Sequence, residues 1–430
     1  MKYALTNVNI ITGLNTDNVL KHKVIIINNN KIISIQDHLE EKIKTIDLQG
    51  KYLMPGLINL HVHLPGSGMP NHRKKQTKEK VKKLMKFGIT RRIIFNMCKN
   101  FAKTELLSGV TTIRTVGGLS NFDSRIANLV EDKKTIGPRM ITSDMAISVP
   151  NGHMEGILAY SCCNPLDAIR YVKQINNGTV KYIKLMVTGG VTDALIEGEP
   201  GVLRMAPEIV KAASIEAHSL GLKVSAHTES TEGVRVALEN GVDTIEHGAK
   251  LTPKEISLFQ NNKASLVCTL SPAFPMVYLG YEQTHLTPIE KTNSRIVLDG
   301  IIECAKTCLE NNIPVGLGTD TACLYTTHYN MWIELALFVK LVGVSNSFAI
   351  HTATLKNAQI LGIDHITGSI EEGKSADFIV LDNNPLDNLK ALEKPYMVGF
   401  RGKIFKKPRV KRYKQVDNIL NNALNSILTK

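Results

Sequence analysis

Over the first fifty positions apolar and polar residues alternate in short runs, as in Val24 to Asn28 and Lys31 to Ile35, with Asn, Gly and Asp between the runs. Successive side chains on a strand point to opposite faces, so this alternation predicts strands joined by hairpins. A matching set returns near the end in Ala376 to Leu381 and Tyr396 to Phe405. Together the two terminal sets predict one small β-sandwich domain, over residues 1–54 and 365–430, with a C-terminal helix. Between them stand eight short apolar or β-branched runs: Leu57 to Leu64, Val110 to Val116, Arg139 to Thr142, Tyr182 to Val187, Lys223 to His227, Thr244 to His247, Ser265 to Leu270 and Pro314 to Gly318. Helical patterns separate these runs. Thr252-Pro253 with Glu255 and Thr287-Pro288 with Glu290 are capping boxes with proline at the first helical position, and Asn164-Pro165 with Asp167 marks a third helix start. A parallel strand is reached through a crossover, usually a helix. Eight strands alternating with helices therefore predict an α/β protein, a (β/α)8 TIM-type barrel over residues 55–364.

The 430 residues are 43% hydrophobic and 21% charged, which suits a folded globular chain and excludes a disordered, collagen-like or disulfide-stapled one. The formal charge of +13 is concentrated in two segments: Arg73 to Arg92 holds ten bases and one acid, and Arg401 to Lys414 holds eight bases and none. Outside them acids outnumber bases, 38 to 34. No zinc finger, aromatic RNA motif or basic zipper accompanies the charge, so a nucleic-acid partner is not expected. The seven cysteines form no CxxC pair, which fits reduced thiols. The start MKYALTNVNIITG is too short and polar for a signal peptide, and no run approaches the length of a membrane span. A soluble cytoplasmic protein acting on a small molecule, with homo-oligomerisation open, is the expectation.

Candidate chemistry sits where a barrel places it, at the C-terminal ends of the strands. The first run closes on His61-Val62-His63, and residues two apart on a strand share a face, which suits joint capture of one cation. Lys184 lies in the fourth run, His227 ends the fifth, His247 ends the sixth and Asp320 follows the eighth. Singly each has a plain alternative: a surface lysine, a capped strand end, a Gly-Thr-Asp turn. Together they point to a metal site. His153 follows the third run and is either a site residue or a loop histidine in a glycine-containing turn. Arg114 and Gly117-Gly118 follow the second run, marking backbone closeness to a ligand or a tight turn.

The motifs PGLINLHVHL (Pro55 to Leu64), GVTTIR (Gly109 to Arg114), YIKLMVTGGV (Tyr182 to Val191), VSAHT (Val224 to Thr228), TIEHG (Thr244 to Gly248), GTD (Gly318 to Asp320) and GSIEEGKSADFIVL (Gly368 to Leu381) span nearly the whole chain. In them the sequence resembles the metal-dependent amidohydrolase superfamily, in its imidazolonepropionase-like and prolidase-like (Xaa-Pro dipeptidase-like) branch. The resemblance implies two divalent ions, zinc foremost, with His61, His63 and Asp320 on one, His227 and His247 on the other, and a carbamylated Lys184 bridging them. It implies hydrolysis of an amide bond in a dipeptide or N-acyl amino acid by a metal-bridged hydroxide, with Asp320 as general acid and base and His153 contacting the carbonyl or oxyanion. The alternative is a mononuclear cyclic-amide hydrolase or deaminase like imidazolonepropionase; a third class is a metal-free scaffold.

Two departures bear on the substrate. Many relatives carry Arg-Asp where this chain has Arg114-Thr115, and some prolidase-like members carry an aromatic for the substrate carboxylate where this chain has Thr228 and Glu229. Arg114 and Glu229 are the candidate substrate contacts; Glu229 would recognise an amine or basic side chain, or cap the helix starting near Ser230. In the first basic segment Val81, Leu84, Met85 and Phe87 fall close to one helical face. That predicts either a solvated helix packed on the barrel rim or a lid or subunit-contact helix whose positive field draws carboxylate-bearing substrates.

Overall fold

All eight apolar runs become strands: Leu57–Val62, Val110–Thr115, Arg139–Ile141, Tyr182–Met186, Lys223–Thr228, Thr244–His247, Ser265–Cys268 and Val315–Leu317. The computed structural model describes residues 2–70 and 77–428. The first three strands form one parallel ladder and the last five another. Backbone bonds close the two gaps: Lys181 and Tyr182 N–H donate to the Thr142 carbonyl at 3.0 and 3.3 Å, and Asp320 N–H donates to the His61 carbonyl at 2.8 Å. The second seam is reinforced by Asn59, whose side chain donates to Thr319 Oγ1 at 2.7 Å and accepts from Thr319 N–H at 3.0 Å. The result is the predicted barrel, extended by two short strands, Ala146–Ser148 and Ala159–Ser161, with the first joined to Tyr182–Met186.

The helices start where their caps stand. Thr252 and Thr287 each close a full capping box, and the Asn164 side chain accepts from Asp167 N–H at 3.0 Å. These bonds satisfy N–H groups that lack an intrahelical partner. The apolar faces of the helices join the outward side chains of the strands in one large core.

Both chain ends build one eight-stranded sheet. Phe378–Leu381 pairs antiparallel with Tyr52–Pro55, and Met397–Phe400 and Lys403–Lys406 continue it, while Lys2–Ile10, Leu20–Asn28 and Lys31–Gln36 extend it on the other side. Leu5, Ile10, Ile25, Ile27, Leu53, Phe378 and Val380 form its own apolar cluster. The C-terminal helix Lys414–Leu428 instead lays Val416, Leu420, Leu424 and Ile427 against the barrel core. Two of the eight bases in the second basic segment are paired with acids: Arg401 with Glu131 at 2.5 Å, and Arg412 with Glu393 and Asp417 at 2.8 and 3.0 Å.

In the first basic segment, Arg73, Lys74 and Lys75 lie outside the described residues. From Lys78 onward the chain is helical, as Lys78–Lys86 and then Gly88–Leu107. Val81 and Met85 pack on the barrel core, whereas Phe87 falls between the helices and is exposed. Lys78 Nζ lies 3.1 Å from Glu155, which ties this helix to the loop that carries His153. All seven cysteines are free thiols. Among the described residues no helix is long and apolar enough to cross a membrane.

Candidate active site

The strands end at one mouth of the ring, where side chains distant in sequence meet. His61, His63, Lys184, His227, His247 and Asp320 line a single cavity of about 280 Å³, together with His153 and Glu229. Gly318 lets the eighth strand lie against the first, since a Cβ there would stand 2.4 Å from the His61 Cβ. His247 and Asp320 take left-handed backbone, φ 68° and 54°, a conformation that costs a non-glycine residue about 1 kcal/mol or more. Surrounding hydrogen bonds hold both turns, and the strained backbone directs both side chains into the mouth.

The donor atoms converge. Asp320 Oδ1 lies 3.4 Å from His61 Nε2 and 3.3 Å from His63 Nε2. One donor atom each from His61, His247 and Asp320 falls within 4.8 Å of the others. The His227 ring is centred 4.7 Å from that of His247 and stacks on His153 at 4.4 Å.

Each of the four candidate ligand imidazoles commits one ring nitrogen to a protein partner. His61 Nδ1 meets Glu246 Oε2 at 2.7 Å, His63 Nδ1 the Gly117 carbonyl at 2.8 Å, His227 Nε2 the Gly189 carbonyl at 3.1 Å, and His247 Nδ1 the Thr269 hydroxyl at 2.7 Å. A carboxylate or carbonyl partner requires a ring N–H, so the opposite nitrogen keeps its lone pair for a cation. Burial, aided by nearby Lys184, brings His61 down to about 4. Burial also drives His227 and His247 well below the usual value. These three rings are thus neutral near pH 7, the state a metal ligand needs. Burial alone would raise the Asp320 carboxyl, but His61, His63 and His247 around it hold it well below the ordinary range.

Lys184 is the exception to this satisfied ring. It is buried, its Nζ has no hydrogen-bond partner, and burial brings the ammonium down to about 8. A buried polar group without a partner is costly. Four imidazoles, one carboxylate and an orphaned amine make a donor set suited to divalent ions that accept nitrogen and oxygen ligands.

The placement expected for Arg114 at the substrate is corrected. Its guanidinium is fully buried inside the barrel, donating to Glu246 Oε1 and Oε2 at 2.6 and 2.7 Å, to the Leu60 carbonyl at 2.7 Å and to Thr244 Oγ1 at 3.0 Å. Those four bonds all go to protein groups, and it does not line the cavity. Its partner Glu246, which sequence reasoning passed over, links the guanidinium to His61. Burial would raise the Glu246 carboxyl, but Arg114 and His61 hold it far below the usual range. Asp193 was also missed: its carboxylate pairs with His153 Nδ1 and braces the stacked ring. Glu229 reaches the cavity as expected, and burial, with the Asp320 and Asp193 charges nearby, pushes its carboxyl up to about 8.

Known proteins share this architecture. The amidohydrolase family model matches residues 52–405, and that of the NagA composite domain matches residues 2–53. A candidate prolidase from Bifidobacterium longum superimposes with a TM-score of 0.86 at 35% identity, covering 98% of each chain. A Xaa-Pro dipeptidase solved with methionine in its active site gives 0.82 at 25% identity, over 94% of this chain and 100% of its own. The ochratoxinase of Aspergillus niger is 26% identical over 334 residues, 71% of this chain and 67% of that enzyme. On the family match and the prolidase-like architecture, the chain belongs to the amidohydrolase family and is a hydrolase of C–N bonds.

Proposed function

We propose that the chain is a binuclear metal-dependent amidohydrolase that cleaves the amide bond of a dipeptide or N-acyl amino acid. The observation that carries this reading is the orphaned Lys184 amine set among five other candidate ligands. With its ammonium brought down to about 8, a share of the amine is neutral near pH 7. A neutral amine adds carbon dioxide and releases a proton, giving an anionic carbamate whose two oxygens replace one unsatisfied nitrogen. His61, His63 and Asp320 would hold one ion and His227 and His247 the second, with the carbamate between. Divalent ions bound there, zinc foremost, supply Lewis acidity toward a carbonyl and lower the pKa of water.

The remaining chemistry belongs to side chains. Asp320, kept ionised by its histidine neighbours, accepts the proton of the attacking water and delivers it to the departing amine nitrogen. His153, braced by Asp193, donates toward the carbonyl oxygen as negative charge develops on it. Met186, Pro272, Met276, Leu286 and Ile301 give the cavity an apolar wall that limits water and leaves room for an apolar side chain. Likeness to the candidate prolidase and to the Xaa-Pro dipeptidase supports the dipeptide class.

Metal analysis of the purified chain, with a panel of dipeptides and N-acyl amino acids assayed under added zinc, manganese or cobalt, tests the reading. Two ions per subunit and metal-dependent release of amino acids are expected. One ion per subunit with turnover of a cyclic amide would replace it with the mononuclear alternative, and absence of bound metal would return the fold to a scaffold.

A further inference from the structure

The second basic segment runs against the helix Gly88–Leu107, away from the candidate metal ligands. A cavity of about 310 Å³ opens there, between that helix, the loops that follow the first and eighth barrel strands, and the stretch leading into the C-terminal helix. It shares no lining residue with the cavity at the barrel mouth. Lys103 reaches it from the helix, and Arg409 and Lys411 from the basic segment. None of these three bases has an acidic partner among the described residues, and Lys411 Nζ lies over the Tyr413 ring at 5.6 Å, which leaves its N–H groups free. Arg401 and Arg412 differ in this respect, since their carboxylates are already in place.

No Asp or Glu lines the cavity among the described residues. Glu105, on the same helix, is buried against His328 Nδ1 at 3.0 Å, and the other ring nitrogen meets the Gly66 carbonyl at 2.8 Å, so His328 serves as wall. Bases gathered without counter-ions attract an anion. Thr327 adds a donor. It is buried and its Oγ1 meets no partner at hydrogen-bond geometry, while the Tyr329 hydroxyl beside it already accepts from Tyr413 N–H at 2.9 Å. A buried hydroxyl without a partner is costly, and a ligand oxygen would satisfy it. Three bases and a hydroxyl exceed what the two oxygens of a carboxylate can occupy. A phosphoryl group, with three oxygens and a charge of about −1.5 to −2 near neutral pH, answers them. Phe101, Leu107, Tyr329 and Val410 line the remainder, which suits an aromatic body carrying that group.

We infer that this cavity is a second binding site, for a small aromatic phosphomonoester, with Lys103, Arg409, Lys411 and Thr327 holding the phosphoryl group. It uses neither the metal ligands nor the amide chemistry of the barrel mouth, so it stands or falls independently of that reading. Its bases come from two segments far apart in the chain, so the site is complete only when the stretch before the C-terminal helix has docked on Gly88–Leu107. The surplus charge of the second basic segment then has a use at Arg409 and Lys411.

Calorimetry on the full chain with its metals bound, titrated with phenyl phosphate, inorganic phosphate, benzoate and phenol, tests the assignment. Phenyl phosphate should bind at least about tenfold more tightly than benzoate or phenol, the scale of a hydrogen bond to a charged group. Arg409 and Lys411 are exposed, so the double variant Arg409→Gln with Lys411→Gln keeps the fold, and it should lower the affinity for phenyl phosphate at least about tenfold. Thr327→Val should weaken binding by about three- to tenfold while leaving the urea midpoint unchanged or raised, because it removes a hydroxyl that has no partner. Phosphate held at the metal centre would survive these changes, so affinity and stoichiometry unaltered in the double variant overturn the site. Benzoate or phenol binding as tightly as phenyl phosphate overturns the phosphoryl assignment, and inorganic phosphate binding as tightly overturns the aromatic body. A single-stranded oligonucleotide that binds more tightly than phenyl phosphate, and needs the same two bases, overturns the small-molecule class in favour of nucleic acid.

Discussion

Replacing Glu246 with glutamine isolates the buried link beneath the metal ligands. The residue keeps its shape, but Arg114 loses the anion that accepts two of its bonds at 2.6 and 2.7 Å, at a site where both side chains are fully buried. Breaking one half of a buried ion pair costs about 3–5 kcal/mol. The glutamine carbonyl and the surviving bonds to Leu60 and Thr244 place the loss near the lower end, about 3 kcal/mol. The change also takes the carboxylate from His61 Nδ1, and loss of such a support typically weakens metal binding about 10- to 100-fold. Urea unfolding of the metal-free proteins reads the first effect, and zinc competition against a chelating dye reads the second. The pH dependence has a fixed sign. The folded carboxyl lies below its unfolded value, so its contribution is fully present above about pH 4.3 and is lost as pH falls toward the folded value. The gap between parent and Glu246→Gln should therefore be flat from neutral pH to about 5 and narrow only in stronger acid. An unchanged urea midpoint together with unchanged zinc affinity would refute the reasoning. The double replacement Arg114→Met with Glu246→Met should regain part of the stability lost by either single change, yet still bind zinc weakly.

Lys184→Ala should lose metal and activity, with partial recovery when a short carboxylic acid and bicarbonate are added; full activity with two ions retained would discard the bridging role. Asp320→Asn should lower kcat at least about a hundredfold, the low end for a general acid–base group, and unchanged turnover would shift the proton transfer to another residue, His153 first. Chelation should lower the unfolding midpoint, by an amount equivalent to about 2.7 kcal/mol when free metal had stood at 100 times its Kd; a midpoint indifferent to chelator would mean that the folded state holds no ion. Thr287→Ala breaks the capping box of the helix Pro288–Glu310 and should cost about 1 kcal/mol in urea unfolding with kcat unaffected.

The barrel was legible because its strands are short apolar runs bounded by explicit helix starts, a signal that needs no knowledge of partners. The metal ligands were legible because that architecture sends every strand end to one mouth, so His61, His227, His247 and Asp320 could be grouped before any distance was known. Arg114 and Glu246 were not paired in advance, because they lie on the second and sixth strands and only closure of the ring brings them together. Both were visible as single charges inside apolar strand runs, VTTIRT and TIEH, and two opposite charges in such positions are the one hint the sequence offers of a buried link. Asp193 was hidden for a different reason: it sits in a short 3-10 turn after the fourth strand, where no periodicity marks it. The strands Ala146–Ser148 and Ala159–Ser161 are three residues each, below the length at which alternation can be read.

The sheet joining the two chain ends also sets a timetable for biosynthesis. Phe378 lies opposite Pro55, so the edge Tyr52–Pro55 is made early and waits for a strand translated more than 300 residues later. At about 5–20 residues per second that wait is roughly 15 to 65 seconds. During it the nascent chain presents an open strand edge, the kind of surface that recruits chaperones or other strands, with only the ring of Pro55 to blunt one end. A chain released before residue 378 never covers that edge, however complete its barrel ligands up to Asp320. The terminal strands therefore distinguish finished from prematurely ended products, and quality control that recognises open strand edges would remove the latter although they already carry all six candidate metal ligands.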